Sequence, residues 1–169
     1  MDHTSIINNL SENLSIFKNL LTGIPEEDVR WKPAPDKWCL LEVLCHLVDE
    51  EREDFRARVR HVLLKPTEPM PPIDPQGWVN ERKYISRDYS DMLDIFLEER
   101  RSSVAWLHSL VSPPWQNTYQ HPKLGPLSAE LFLANWLAHD YLHIRQVLGL
   151  KFALLGMRSG QDLSYSGAW

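Results

Sequence analysis

In the stretch LFLANWLAHDYLHIRQVLGL, spanning 131–150, His139 and His143 stand four residues apart. On a helix that advances roughly 100° per residue, these imidazoles fall about 40° apart, one turn above each other. With that spacing one helix can offer two nitrogens to one metal ion. Asn135, one turn before His139, and Gln146, three residues after His143, share the face, with Phe132 and Trp136 flanking it. A polar stripe in an apolar helix is costly to bury unless each member finds a partner. Something is expected to sit against it.

The third ligand must come from elsewhere in the chain. Between Cys39 and Val48 the sequence is apolar nearly all round, and its only polar side chains are Glu42 and His46, one turn apart. Two readings of His46 follow: a metal ligand joining His139 and His143, or a partly buried imidazole held by Glu42. Three neutral imidazoles leave a coordination position open, the pattern of a catalytic rather than a closed structural site. Zinc or nickel, or another divalent ion suited to imidazole, fits such a set. Glu42, Asp49 and Glu50 lie within about one turn of His46 and are able to orient it, although solvated carboxylates are the default for each. The other four of the seven histidines read as structural. His3 is near a terminus and solvated, and His61 lies roughly 22 Å along the helix from His46. His108 belongs at a core edge, and His121 belongs on a loop surface, with a pocket lining as its alternative.

A chain of 169 residues fits one domain, 1–169, and can bury a substantial core. Its 43% hydrophobic and 24% charged residues are ordinary for a globular protein. A net charge of -5 with no basic cluster gives no electrostatic reason to bind nucleic acid. The opening MDHTSIINNLSENLS predicts no signal peptide, and no apolar run is long enough to span a membrane. Cys39 and Cys45, six apart in one helix, point to different faces and predict no mutual disulfide. A reduced, cytoplasmic protein is the expectation.

The elements that position the histidines are helices. Apolar residues recur at helical spacing from Thr4 to Leu21, ended by Gly23 and Pro25, with a short turn at 25–29. WKPAPDK is an extended connector, followed by a long helix over about 38–64. In its later part Leu44, Val48, Phe55, Val59 and Val62 form the buried stripe, from which His46 points away. Five prolines make 65–77 a surface loop, and 78–87 is ambiguous. Asp88 or Ser90 caps a third helix over 88–111. A second long loop, 112–126, precedes a fourth helix over 128–149, capped by Ser128 and ended by Gly149. The tail 151–169 is weakly patterned; its end is either disordered or packed on a partner. Four amphipathic helices with no convincing strand predict an all-α four-helix bundle with long connecting loops.

On these residues the chain resembles the DinB/YfiT-like superfamily of small bacterial four-helix-bundle metalloproteins. The resemblance rests on WCLLEVLCHLVDEE with Trp38, Glu42 and His46, on QHPKLGPLS, and on LAHDYLHIRQV with His139, His143 and Gln146. It implies a metal held by His46, His139 and His143 in a pocket at the bundle's end, and frequent homodimers. Many members carry Ser or Thr where this chain has Cys39, which weakens the expected helix cap. The implied reaction is broad: S-transfer or isomerisation with a low-molecular-weight thiol such as bacillithiol or mycothiol, or metal-dependent hydrolysis. Asn135 and Gln146 would then bond the substrate or a water on the metal, with Glu42 and Trp136 close by. The substrate is a small molecule that the sequence does not identify.

Two other classes of function compete with the enzyme. One is a non-catalytic metal- or ligand-binding or dimeric interaction module. It is motivated by the lack of an evident acid or base beyond the ligands and by aromatic residues expected on exposed loops and tail, Trp78, Trp115 and Trp169. The other is a plain helical bundle with satisfied histidines and no metal.

Overall fold

The Asp2 carboxylate accepts the Ser5 amide at 2.6 Å and so starts helix α1, His3–Leu21, whose Ile6, Ile7, Leu10, Phe17 and Leu21 are buried. This computed structural model describes residues 2–167, so the Trp169 expected on an exposed tail lies outside the described residues. A single turn, α2 (Glu26–Val29), follows. The next long helix is one rod of three parts: α3 (Leu40–Asp49), a π-helical turn (Glu50–Phe55) and α4 (Arg56–Leu64). Cys39 caps it after all. The thiol faces the third amide of α3 while the Cys39 amide donates to Glu42 at 2.9 Å, completing a capping box.

The π turn is the first departure from the expected regular helix. Its i→i+5 hydrogen bonds each span one residue more than those of an α-helix, which shifts the register between the two ends of the rod. All ten residues of α3 are buried, whereas α4 buries only Val59, Val62 and Leu63. His46 points away from the later stripe for this reason: α3 is enclosed on every side and α4 on one.

Pro75–Glu81 forms α5 and Tyr84–Ser86 a 3-10 turn, settling the ambiguous stretch as helical pieces that pack on α3. Trp78, expected to be exposed, is 6% exposed beneath Arg82, whose guanidinium lies 4.1 Å from its ring centre. Helix α6, Tyr89–Ser109, is capped by Asp88 and stops short of Val111, the expected helix end, which is solvent-exposed. His108, expected at a core edge, is exposed.

The loop expected over 112–126 contains an antiparallel hairpin, β1 (Thr118–His121) and β2 (Gly125–Ser128), pairing Thr118 with Ser128 and His121 with Gly125. Pro126 is tolerated because a two-stranded ribbon has only edges. Ser128 caps α7 by accepting the Leu131 amide at 3.1 Å. Helix α7 then runs Ala129–Ser159, ten residues past Gly149, and ends at Gly160 with φ 63°. A glycine inside a helix costs about 1 kcal/mol and does not terminate it; one in the left-handed conformation does.

The bundle is thus α1, α3–α4, α6 and α7, with α1 against α6 and α7, α3 against α6, and α4 against α7. One buried network ties all four helices together. Arg100 of α6 donates to both Asp140 oxygens, at 2.6 and 2.7 Å, and through Nε to Glu51 at 3.0 Å. Asn13 of α1 adds a bond to Asp140 at 3.0 Å, and Trp136 donates to Glu51 at 3.1 Å. Among the described residues no helix is long and apolar enough to cross a membrane.

Candidate metal centre

His46 from α3 meets His139 and His143 from α7 at one side of the bundle, beside the buried network. His139 Nε2 lies 3.3 Å from His46 Nε2 and 3.0 Å from His143 Nε2. The ligand atoms of the three all lie within 4.8 Å of one another. Nitrogens held tetrahedrally at about 2.0–2.1 Å from one zinc ion are roughly 3.4 Å apart, so the set fits a single small divalent cation.

Protonation agrees with that use. Gln146 Oε1 accepts from His143 Nδ1 at 2.8 Å, which leaves the His143 Nε2 lone pair facing the other rings. Burial, reinforced by His143, pulls His46 down to about 3. Burial and the neighbouring imidazoles pull His139 down to about 2. Burial also lowers His143, partly opposed by Gln146 and Asp140. Three neutral imidazoles converging on one point cannot satisfy one another, because each offers one N–H at most. His46 Nδ1 and Glu50 Oε1 are buried with no hydrogen-bond partner, 3.8 Å apart. Donor set and spacing both fit a cation.

The other expected site residues are placed differently. Glu42 does not hold His46; its oxygens take Lys32 at 2.7 Å and the Cys39 amide, as the helix cap demands. Of the three carboxylates considered for His46, Glu50 is the one beside it, whereas Asp49 accepts from the Tyr84 hydroxyl. Trp136 is turned to the core, stacked on Phe55 and bonded to Glu51. Asn135 is exposed, donates to the Leu131 carbonyl at 2.8 Å, and lines the cavity next to His139 rather than the three nitrogens. Gln146, expected to bond the substrate or a water on the metal, instead turns its oxygen to His143 Nδ1.

Two spaces open onto the histidines. A polar mouth carries Lys37, Trp38, Gln76, Glu50 and Gln146 along with all three. Trp38 covers His46, their ring centres 5.0 Å apart. On the other side of His139 is a largely apolar chamber of about 460 Å³, open to solvent along Leu124, Leu131 and Leu142. Phe55, 4.9 Å from the His139 ring, helps divide the chamber from the core. Burial and the adjacent Asp54 carboxylate push Glu50 up to about 8. Sequence reasoning missed Asp54, Phe55 and Arg58 as cavity residues, because the π turn alters which residues share a face. His121 also lines this chamber, so its alternative reading is the one observed.

The family model of the DinB superfamily matches residues 9–147, and the chain belongs to that superfamily. Among solved structures it is similar to YfiT from Bacillus subtilis, with 20% identity and a TM-score of 0.77. That match covers 95% of this chain and 89% of the other. The relative is described as a probable metal-dependent hydrolase with an unusual four-helix bundle topology. At this identity the likeness establishes the fold. No curated protein matches the chain.

Proposed function

We propose that His46, His139 and His143 hold one divalent ion, zinc or nickel, and that the protein is a metal-dependent enzyme acting on a small electrophilic molecule. The observation that carries this reading is the convergence of three Nε2 atoms from two helices, with links of 3.0 and 3.3 Å. An ion bound there would act as a Lewis acid and make a water or thiol nucleophilic near neutral pH. Water as nucleophile gives hydrolysis, in line with the description of the YfiT relative; a low-molecular-weight thiol gives S-transfer.

The chain's own residues have defined parts in this reading. Gln146 fixes the His143 ring and its tautomer. Trp38 and Phe55 cover His46 and His139 and limit access of bulk water. Glu50 lines the polar mouth beside His46. A cytoplasmic homodimer is the expected state of the working protein.

Elemental mass spectrometry of protein purified without chelator or histidine tag tests the reading. Near one equivalent of metal is expected in the parent, with loss in His143→Ala while circular dichroism stays unchanged. Absence of metal after incubation with zinc or nickel would sink the three-histidine site. Full metal occupancy without turnover across ester and thiol-acceptor panels would sink the enzyme and leave a binding module.

A further inference from the structure

The hairpin that replaces the expected loop forms part of the chamber's wall. Its Leu124 and Leu127 join Phe55, Phe132 and Leu142 as the apolar lining. His139 is the residue that the chamber shares with the polar mouth. Away from it, Arg58, Ile73 and His121 are shared with a smaller pocket under Pro71 and Pro72. The chamber therefore has one end at the histidines and another at Arg58 and His121. The Arg58 guanidinium carbon lies 5.8 Å from the Phe132 ring centre, and Phe132 stands seven residues, roughly 10 Å of helix, before His139 on α7.

The far end carries two donors, Arg58 and His121, beside one carboxylate, Asp54. His121 Nδ1 accepts the amides of Lys123 and Leu124, at 3.2 and 3.1 Å. Backbone amides can only donate, so the ring proton is on Nε2 and the free edge of His121 is an N–H. Arg58 uses Nε on the Asp54 carboxylate and directs Nη1 to the Met70 sulfur, a weak acceptor. Asp54 is the acidic group here, and it is engaged by Arg58 and by a side-chain hydrogen bond with Glu50. Asn135 has its N–H on the Leu131 carbonyl, beside His139 on α7. An apolar space with under-used N–H donors at one end calls for an apolar ligand with an acceptor-only, anionic tip.

We propose that this chamber takes the apolar arm of a medium-chain carboxylic acid, its carboxylate held by Arg58 and His121 and its other end presented to His139. The assignment deepens the enzyme reading above and rests on it only for which end reacts. It makes the hairpin and Arg58 determinants of specificity, with no part in the bond-breaking step.

Octanoate, octanol and octylamine serve as probes, titrated by calorimetry into the full chain both as purified and after chelator treatment. Octanoate is expected to bind about tenfold tighter than either of the others, in both preparations. In Arg58→Gln that preference should vanish while octanol affinity is unchanged. In His121→Asn, which keeps an acceptor for the turn amides, the preference should shrink. Preference for octylamine would show that Asp54 governs the chamber and would overturn the proposal. A preference that needs the metal would place the carboxylate on the ion and overturn it equally. Failure of all three probes to bind would remove the chamber as a subsite. Protein without metal that still prefers octanoate would sustain the chamber while the metal reading fails alone.

Discussion

Gln146 is the smallest part on which the metal reading makes a separate demand. Its oxygen sets the His143 tautomer, and losing such a partner lowers metal affinity by about 10–100-fold. Gln146→Ala should therefore weaken zinc binding by that order in a competitive chelator titration, with no change in circular dichroism. Two tyrosines make a separate demand on pH. Burial raises both Tyr84 and Tyr89 above the usual phenol range, and Tyr84 also faces the Asp49 carboxylate. Above pH ~10 the unfolded phenols ionise while the folded ones keep their protons. The native state then binds more protons, so stability falls as pH rises through that range. Urea midpoints should drop between pH 9 and pH 11, roughly, and Tyr89→Phe should flatten that slope. At this scale the three histidines and Gln146 were legible, since a polar residue in an apolar helix stands out by type. Their neighbours were not. Glu42 has the right spacing to hold His46, but the bare N-terminus of α3 claims its carboxylate first.

Among the elements, the fourth helix separates what a residue type says from what its backbone does. Gly149, Gly156 and Gly160 all lie toward its end, and only Gly160 adopts a left-handed φ, 63°. Residue type alone stops the helix at Gly149, the first of the three, because it carries no information on backbone conformation. The structure implies opposite signs for one substitution. A Cβ at Gly156 would meet Leu163 at an ordinary 3.5 Å, so Gly156→Ala should stabilise by about 1 kcal/mol. A Cβ at Gly160 meets nothing but forces an alanine into the left-handed region, so Gly160→Ala should cost about 1 kcal/mol. Thermal melts of the two variants check the pair. The hairpin escaped notice because its strands are four residues each, with a proline in one and too few alternations to show a period. The π turn escaped because periodicity arguments assume one helix type throughout the rod.

Across the whole molecule, the bundle was legible from four apolar stripes, but the Arg100 network that joins them was not. Glu51, Arg100 and Asp140 are each at most 1% exposed, and in sequence they look like three ordinary surface charges. Only the packing of four helices around them reveals the role. Arg100→Leu leaves two buried carboxylates unpaired and should cost about 3–5 kcal/mol in a urea melt. Replacing Glu51, Arg100, Asp140 and Asn13 together by apolar residues of similar volume, with Trp136→Phe to remove the remaining donor, should cost far less. Stability and chemistry are thus concentrated in the helices, whereas the hairpin contributes one wall of a cavity and hydrogen-bonds its strands chiefly to each other. That division separates heritable risk from heritable opportunity. A lineage can lengthen or recolour the tip of the hairpin, away from the Ser128 cap of α7, without disturbing the histidines or the charges beneath them. New selectivity is then reachable by small steps, each leaving a folded protein behind it.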